Sequence, residues 1–239
     1  MIDVTIIPVL EDNYAYLLRS QDRLTAVVDP GEAGPIIDYL EANALTLDYI
    51  LNTHHHGDHT AGNAALKKKY GSTVLGPEKE RGRIPVLDRG LSEGEVFSFG
   101  QEEMKIMETP GHTLGAICFY FPDSLCLFTG DTLFLMGCGR LFEGTPAQMY
   151  QSLKKIAALP DDVLIYCGHE YTLEATDFCL SIEPDNEALK KRQKDIRVLD
   201  QQKKPTVPAT LRIEKDTNVF LRAKTLEQFT EYREKRNVF

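Results

Sequence analysis

Three apolar runs open the chain, VTIIPVL, YAYLLRS and LTAVVD, separated by EDN and SQDR and followed by DPG. Short apolar segments punctuated by Asp, Asn, Ser and Gly predict a β-meander. GPIIDYLEANA then places apolar residues at helical spacing, and LDYILN predicts a strand that runs straight into a polar stretch. TAGNAALKKKYG predicts a helix stopped at Gly71, because glycine tolerates the left-handed conformation at a helix end. EVFSF, EMKIMET, GAICFYF and SLCLFTG follow as closely spaced strands, with turns at FGQEE and PDS. TPAQMYQSLKKIAALP predicts a helix with Thr145 as N-cap, Pro146 at its first position, and Met149, Leu153 and Ile156 on one face. VLIYCG is the last clear strand. Two helical segments end the chain: NEALKKRQKDIRVLDQQKK, which stops before Pro205, and LEQFTEYREKR, where Leu226, Phe229 and Tyr232 recur every three residues. Strands and helices therefore mix to about residue 170, and the remainder is mainly helical.

Charge divides along similar lines. Residues 1–186 carry 13 Lys and Arg against 28 Asp and Glu, whereas residues 187–239 carry 14 against 8. Such an asymmetry suggests two regions with different work, 1–170 and 171–239. The overall charge of −9 argues against a nucleic-acid partner, since an acidic surface repels a polyanion. No apolar run approaches the roughly 20 residues needed to span a bilayer. The opening MIDVTIIPVLEDN lacks the basic start of a secretory signal, so a cytoplasmic location is expected. Five cysteines, scattered and without CxxC spacing, argue against both a disulfide framework and a thiolate metal site. Most of them are expected in the core, Cys167 included.

Histidine is the informative residue. The chain has six, and four of them fall in NTHHHGDHT at 52–60. Four predicted strands each lead into a loop that carries metal-compatible donors: LDYILN into His54, His56, Asp58 and His59; MKIMETPG into His112; SLCLFTG into Asp131; VLIYCG into His169. Strand ends at one sheet edge are where α/β folds build sites. Five imidazoles and two carboxylates exceed what one catalytic zinc takes, and they suit a pair of ions with a bridging carboxylate. Two histidines two apart in extended chain point to one side, so His54 and His56 can grip one ion while Asp58 and His59 face a second. His55 falls between them and should point away. Asp29, at the end of LTAVVD, could orient a ligand imidazole or simply belong to a turn.

The motifs THHHGDH, PGHT, TGDTLF and CGHEYT, in this order and spacing, resemble those of the metallo-β-lactamase superfamily. GCGRLFEGT, QMYQSLKKIAALPDD and NVFLR…YREKR extend the likeness over nearly the full length to the glyoxalase II family of hydroxyacylglutathione hydrolases. The resemblance implies an αββα sandwich with a small helical C-terminal domain, and two divalent cations, zinc first with iron or manganese as alternatives. It implies His54, His56 and His112 on one ion, Asp58, His59 and His169 on the other, and Asp131 bridging, with Asp58 and Asp131 as catalytic carboxylates. It also implies glutathione recognition by Arg140, Tyr171, Arg233 and Arg236, with Phe142 where the family often has tyrosine and Val219 where it has proline. Lys235 competes with Arg236 as the partner of Arg233. The implied activity is hydrolysis of S-D-lactoylglutathione to glutathione and D-lactate, the second step of methylglyoxal detoxification, by a cytoplasmic monomer.

Thioester chemistry suits such a site, because the leaving thiol has a pKa of about 8.5 and departs without a dedicated acid. Competing readings are a nuclease, disfavoured by charge, a persulfide dioxygenase of the same superfamily, which lacks the basic C-terminal helix, and a non-catalytic metal-binding module.

Overall fold

The meander forms as its sequence predicts. β1 (Asp3–Val9), β2 (Asn13–Arg19) and β3 (Thr25–Val28) pair antiparallel, with Ile6 opposite Tyr16 and Tyr16 opposite Val28. The computed structural model describes residues 1–239, and these group into two compact units: Met1–Glu108 with Gly115–Gly130, and Thr109–Leu114 with Asp131–Phe239. Residues 131–170 thus group with the C-terminal helices in this packing division.

In the first unit, α1 (Gly34–Ala42) is followed by β4 (Tyr49–Leu51), the short turn α2 (Gly57–Thr60), α3 (Asn63–Tyr70), β5 (Thr73–Pro77) and β6 (Arg89–Leu91). β3 to β6 run parallel, giving a six-stranded sheet in chain order. β2 is buried on both faces because successive side chains go opposite ways. Ala15 and Leu17 join Val27, Ile50 and Val74 in a core with Ile36 and Leu40 of α1 and Leu66 of α3. Tyr16 points the other way, onto Phe128 with ring centroids 5.5 Å apart. Phe128 belongs to a second sheet of antiparallel strands: β7 (Val96–Phe99), β8 (Glu102–Glu108), β9 (Ile117–Phe121) and β10 (Cys126–Gly130). Tyr49 meets Phe97 and Phe99 in the same way, so aromatic rings fill the space between the sheets. Gly71 ends α3 with φ 73°, the left-handed cap expected.

The second unit contains the small hairpin of β11 (Leu133–Phe134) and β12 (Gly137–Cys138), then α4 (Pro146–Ala157) and β13 (Leu164–Cys167). α5 (Thr172–Ile182), α6 (Glu187–Gln201), β14 (Ala209–Thr210), α7 (Leu211–Thr217), α8 (Val219–Arg222) and α9 (Leu226–Val238) complete it. α4 begins with a full capping box, Thr145 with Gln148. At the start of α8, where the resembled family has proline and this chain has Val219, the Asn218 side chain accepts from the Phe220 N–H at 3.0 Å and caps the turn. Phe220 is the hub of the helices: it stacks on Phe178 of α5 at 5.8 Å and meets Phe229 of α9 at 5.9 Å. All five cysteines are buried and unbonded to one another. No helix is long and apolar enough to cross a membrane.

Candidate metal centre and substrate pocket

Because β3 and β4 run parallel side by side, their C-terminal ends place Asp29 and the 52–59 loop at one sheet edge. Asp29 is buried, with φ 50°, and it organises that loop. Its Oδ1 accepts from the Thr53 N–H at 2.8 Å, and its Oδ2 accepts from the Thr53 hydroxyl at 2.7 Å and from His59 Nδ1 at 3.1 Å. Having given its proton to Asp29, the Thr53 hydroxyl accepts from His54 Nδ1 at 3.0 Å. Both imidazoles therefore carry their proton on Nδ1 and turn a lone pair on Nε2 toward other donors. His54 Nε2 lies 3.1 Å from His56 Nδ1, and His59 Nε2 lies 3.4 Å from Asp58 Oδ2. Asn13 holds the same Asp58 oxygen at 3.0 Å. Gly130, at φ +46°, packs so close to Thr53 that a side chain there would run into it. Asp29 thus orients the His59 imidazole rather than serving only as a turn residue.

His55 turns aside as expected. Its Nδ1 donates to Glu80 Oε2 at 2.9 Å, the Glu80 side chain being buried and His55 partly so. Glu80 also accepts from the Gly115 N–H at 3.1 Å.

The second unit assembles the other three expected ligands. Asp131 Oδ2 lies 3.3 Å from His112 Nε2 and 3.4 Å from His169 Nε2. His112 Nδ1 donates to the Arg140 carbonyl at 2.8 Å, which again leaves Nε2 as the lone-pair nitrogen. His169 stacks on Tyr171 with centroids 4.8 Å apart. A side chain at Gly139 would strike the Asp131 carbonyl, so that glycine is required by close approach. The donor chemistry fits divalent cations: imidazoles and carboxylates cluster within ligand distance of one another, and the far nitrogens of His54, His59 and His112 are tied to acceptors.

A pocket of about 370 Å³ opens within this second unit, walled by His112 and Asp131 at one end. Arg140, Phe142, Tyr171, Arg233 and Arg236 all line it, and Lys235 does not. Lys235 is exposed and pairs along α9 with Glu231. Phe142 is exposed and meets His112 edge-on at 5.2 Å. Arg233 is buried among neutral partners: Nη1 donates to the Cys138 carbonyl at 2.9 Å, Nη2 to Asn237 at 3.1 Å, and the guanidinium lies over Phe220. Its Nε is buried without a hydrogen-bond partner. Sequence reasoning missed Phe134, Cys138, Glu174 and Phe220 in the wall, and Asn13 and Thr53 behind the loop. Phe134, Cys138, Phe220 and Thr53 lie inside the quoted motifs without an assigned role, whereas Asn13 and Glu174 lie outside them.

Neither Cys167 nor Cys138 competes as a nucleophile. Burial pushes the Cys167 thiol up to about 12, and its Sγ donates to the His169 carbonyl at 3.4 Å. Cys138 is likewise pushed up by burial, a shift partly opposed by Arg233.

Residues 9–169 match the metallo-β-lactamase superfamily, and residues 170–239 match the hydroxyacylglutathione hydrolase C-terminus. The crystal structure of ETHE1 from Myxococcus xanthus shares the fold at a TM-score of 0.75 and 24% identity, over 99% of this chain and 91% of that one. The fold is thus the αββα metallo-β-lactamase sandwich with a helical C-terminal region. A hydroxyacylglutathione hydrolase of Pelagibacter ubique is 46% identical over 238 residues, covering 99% of this chain and all of its own. One of Brucella ovis is 50% identical over 212 residues, 88% of this chain and 82% of the relative. The chain belongs to the metallo-β-lactamase superfamily and, within it, to the hydroxyacylglutathione hydrolase family.

Proposed function

We propose that the chain hydrolyses S-2-hydroxyacylglutathiones, S-D-lactoylglutathione first among them, to glutathione and the hydroxy acid. The observation that carries the substrate is Arg233, a buried guanidinium in the pocket wall whose partners are all neutral. A buried cation without a counter-charge favours an anionic ligand, and glutathione carries two carboxylates. Arg140 and Arg236 add positive charge to the same wall. Tyr171 and Phe142 flank the ligand imidazoles His169 and His112, and give the thioester an apolar, oriented approach.

For the metals the reading keeps the ligand division implied by the motifs: His54, His56 and His112 for one ion, Asp58, His59 and His169 for the other, and Asp131 for both. It is supported by the imidazole tautomers that Asp29, Thr53 and Arg140 impose. When bound, two such cations supply Lewis-acid polarisation of the carbonyl and acidify water near neutral pH. Asp58, held by Asn13, is the carboxylate that takes up a proton as water adds to the carbonyl carbon. The C–S bond then breaks, and the departing thiolate is stable enough to leave unprotonated. The 171–239 segment serves as the substrate-binding domain, and the same reading has zinc, or iron or manganese, as the metal and a cytoplasmic monomer as the working form.

Purified, metal-replete protein is expected to release glutathione and D-lactate from S-D-lactoylglutathione, with about two metal equivalents per chain by elemental analysis. Absence of turnover would refute the substrate assignment. Oxygen uptake with glutathione persulfide would favour the dioxygenase reading instead.

A further inference from the structure

Arg233 and Arg236 stand three apart on α9 and both line the pocket, yet their surroundings differ. Arg233 has no acidic partner. Arg236 has one: its Nη2 lies 2.8 Å from Glu174 Oε1. The guanidinium is also set over two rings, 5.7 Å from the centroid of Phe178 and 5.9 Å from that of Phe239. Glu174 and Phe178 are four apart on α5, so one helix face offers Arg236 both a carboxylate and a ring. The Glu174 side chain is 66% exposed, against 17% for Arg236, and it lines the pocket itself. A carboxylate of the protein therefore occupies a cation that the proposed function uses for a carboxylate of the substrate.

We propose that Glu174 is a specificity-determining residue that acts as an internal counter-anion. It competes with the carboxylates of substrate and product for Arg236, and so weakens the hold of the pocket on the glutathione moiety. The inference rests on reading this pocket as the glutathione site. Two features give the competition its direction. The rings of Phe178 and Phe239 keep Arg236 in place whether or not the carboxylate is present, so Glu174 is not needed to position it. A like charge beside an incoming anion raises the energy of every state in which that anion is bound, before and after the C–S bond breaks. The carboxylate thereby lets glutathione leave once it has formed.

Glu174→Gln keeps the size and helical position of the side chain and removes its charge. In the metal-replete, full-length enzyme at low salt, the inhibition constant for glutathione and the KM for S-D-lactoylglutathione should both fall about three- to tenfold, the scale of one partly screened charge. The difference should shrink in high salt and nearly vanish when glutathione diethyl ester, its carboxylates capped, replaces glutathione as the inhibitor. Unchanged constants overturn the proposal. A rise in both also overturns it, because the carboxylate would then be holding Arg236 for the substrate or taking the substrate ammonium. If the wild-type enzyme does not hydrolyse the thioester, the functional reading fails and this inference falls with it. If it does, and the variant binds glutathione no tighter, only the inference fails.

Discussion

The four histidines of NTHHHGDHT are chemically alike, and their hydrogen bonds make them different. His59 is tied through Nδ1 to Asp29, whereas His55 is tied to Glu80. His59→Ala is therefore expected to drop the metal content by one equivalent per chain. His55→Ala should keep both equivalents, yet it leaves the buried Glu80 carboxylate short of a donor. Its expected cost is about 1–3 kcal/mol of stability, read by chemical denaturation beside the metal analysis. Arg233→Ala should raise KM about tenfold or more, the worth of a charge-assisted contact, with a smaller fall in kcat because the contact proposed for it is to a remote part of the substrate. Arg233→Lys should recover only part of the loss, since an ammonium cannot reproduce the two-sided grip on Cys138 and Asn237. An equal fall in kcat and kcat/KM would contradict the binding role.

At the scale of elements, local signals decide how well structure is read from sequence. Thr145 and Pro146 mark the start of α4 unambiguously, and the capping box with Gln148 makes the mark energetic. Thr145→Ala should lower stability by about 1 kcal/mol, read as a drop in Tm, and leave KM unchanged. The meander, α1 and the strands ending at His54 and Asp131 were legible because their apolar residues alternate or recur without interruption. β5 and β6 were not: Thr73–Pro77 contains Gly76 and Pro77, and Arg89–Leu91 is three residues long, so neither offers a period to count. β11 and β12 are two residues each and exist through pairing rather than propensity. The candidate donors were legible because ligand chemistry restricts residue type, and the fold does cluster them. Asn13 and Glu174 were not, since an asparagine in a turn and a glutamate in the first turn of a helix are ordinary where they stand.

For the molecule as a whole, stability should carry the signature of one buried acid. Glu214 of α7 is fully buried, and burial raises its pKa despite bonds from the Met136 N–H and the Asn218 amide and the nearby charge of Arg192. A raised folded-state pKa means the native protein holds the proton where the unfolded chain has lost it. The contribution to stability is then complete below the ordinary carboxylate range and is lost as pH rises through the raised value. Glu214→Gln cannot titrate, so its Tm relative to wild type should improve as pH rises from about 4 to about 8; a constant difference would show that the carboxyl is not protonated in the native state. The buried cysteines have a different consequence. Oxidised glutathione exchanges with exposed protein thiolates, and Cys138 lines the pocket proposed for the glutathione thioester. Burial raises the pKa of the Cys138, Cys167 and Cys179 thiols, which lowers the thiolate fraction able to attack oxidised glutathione, so these three side chains should resist capping.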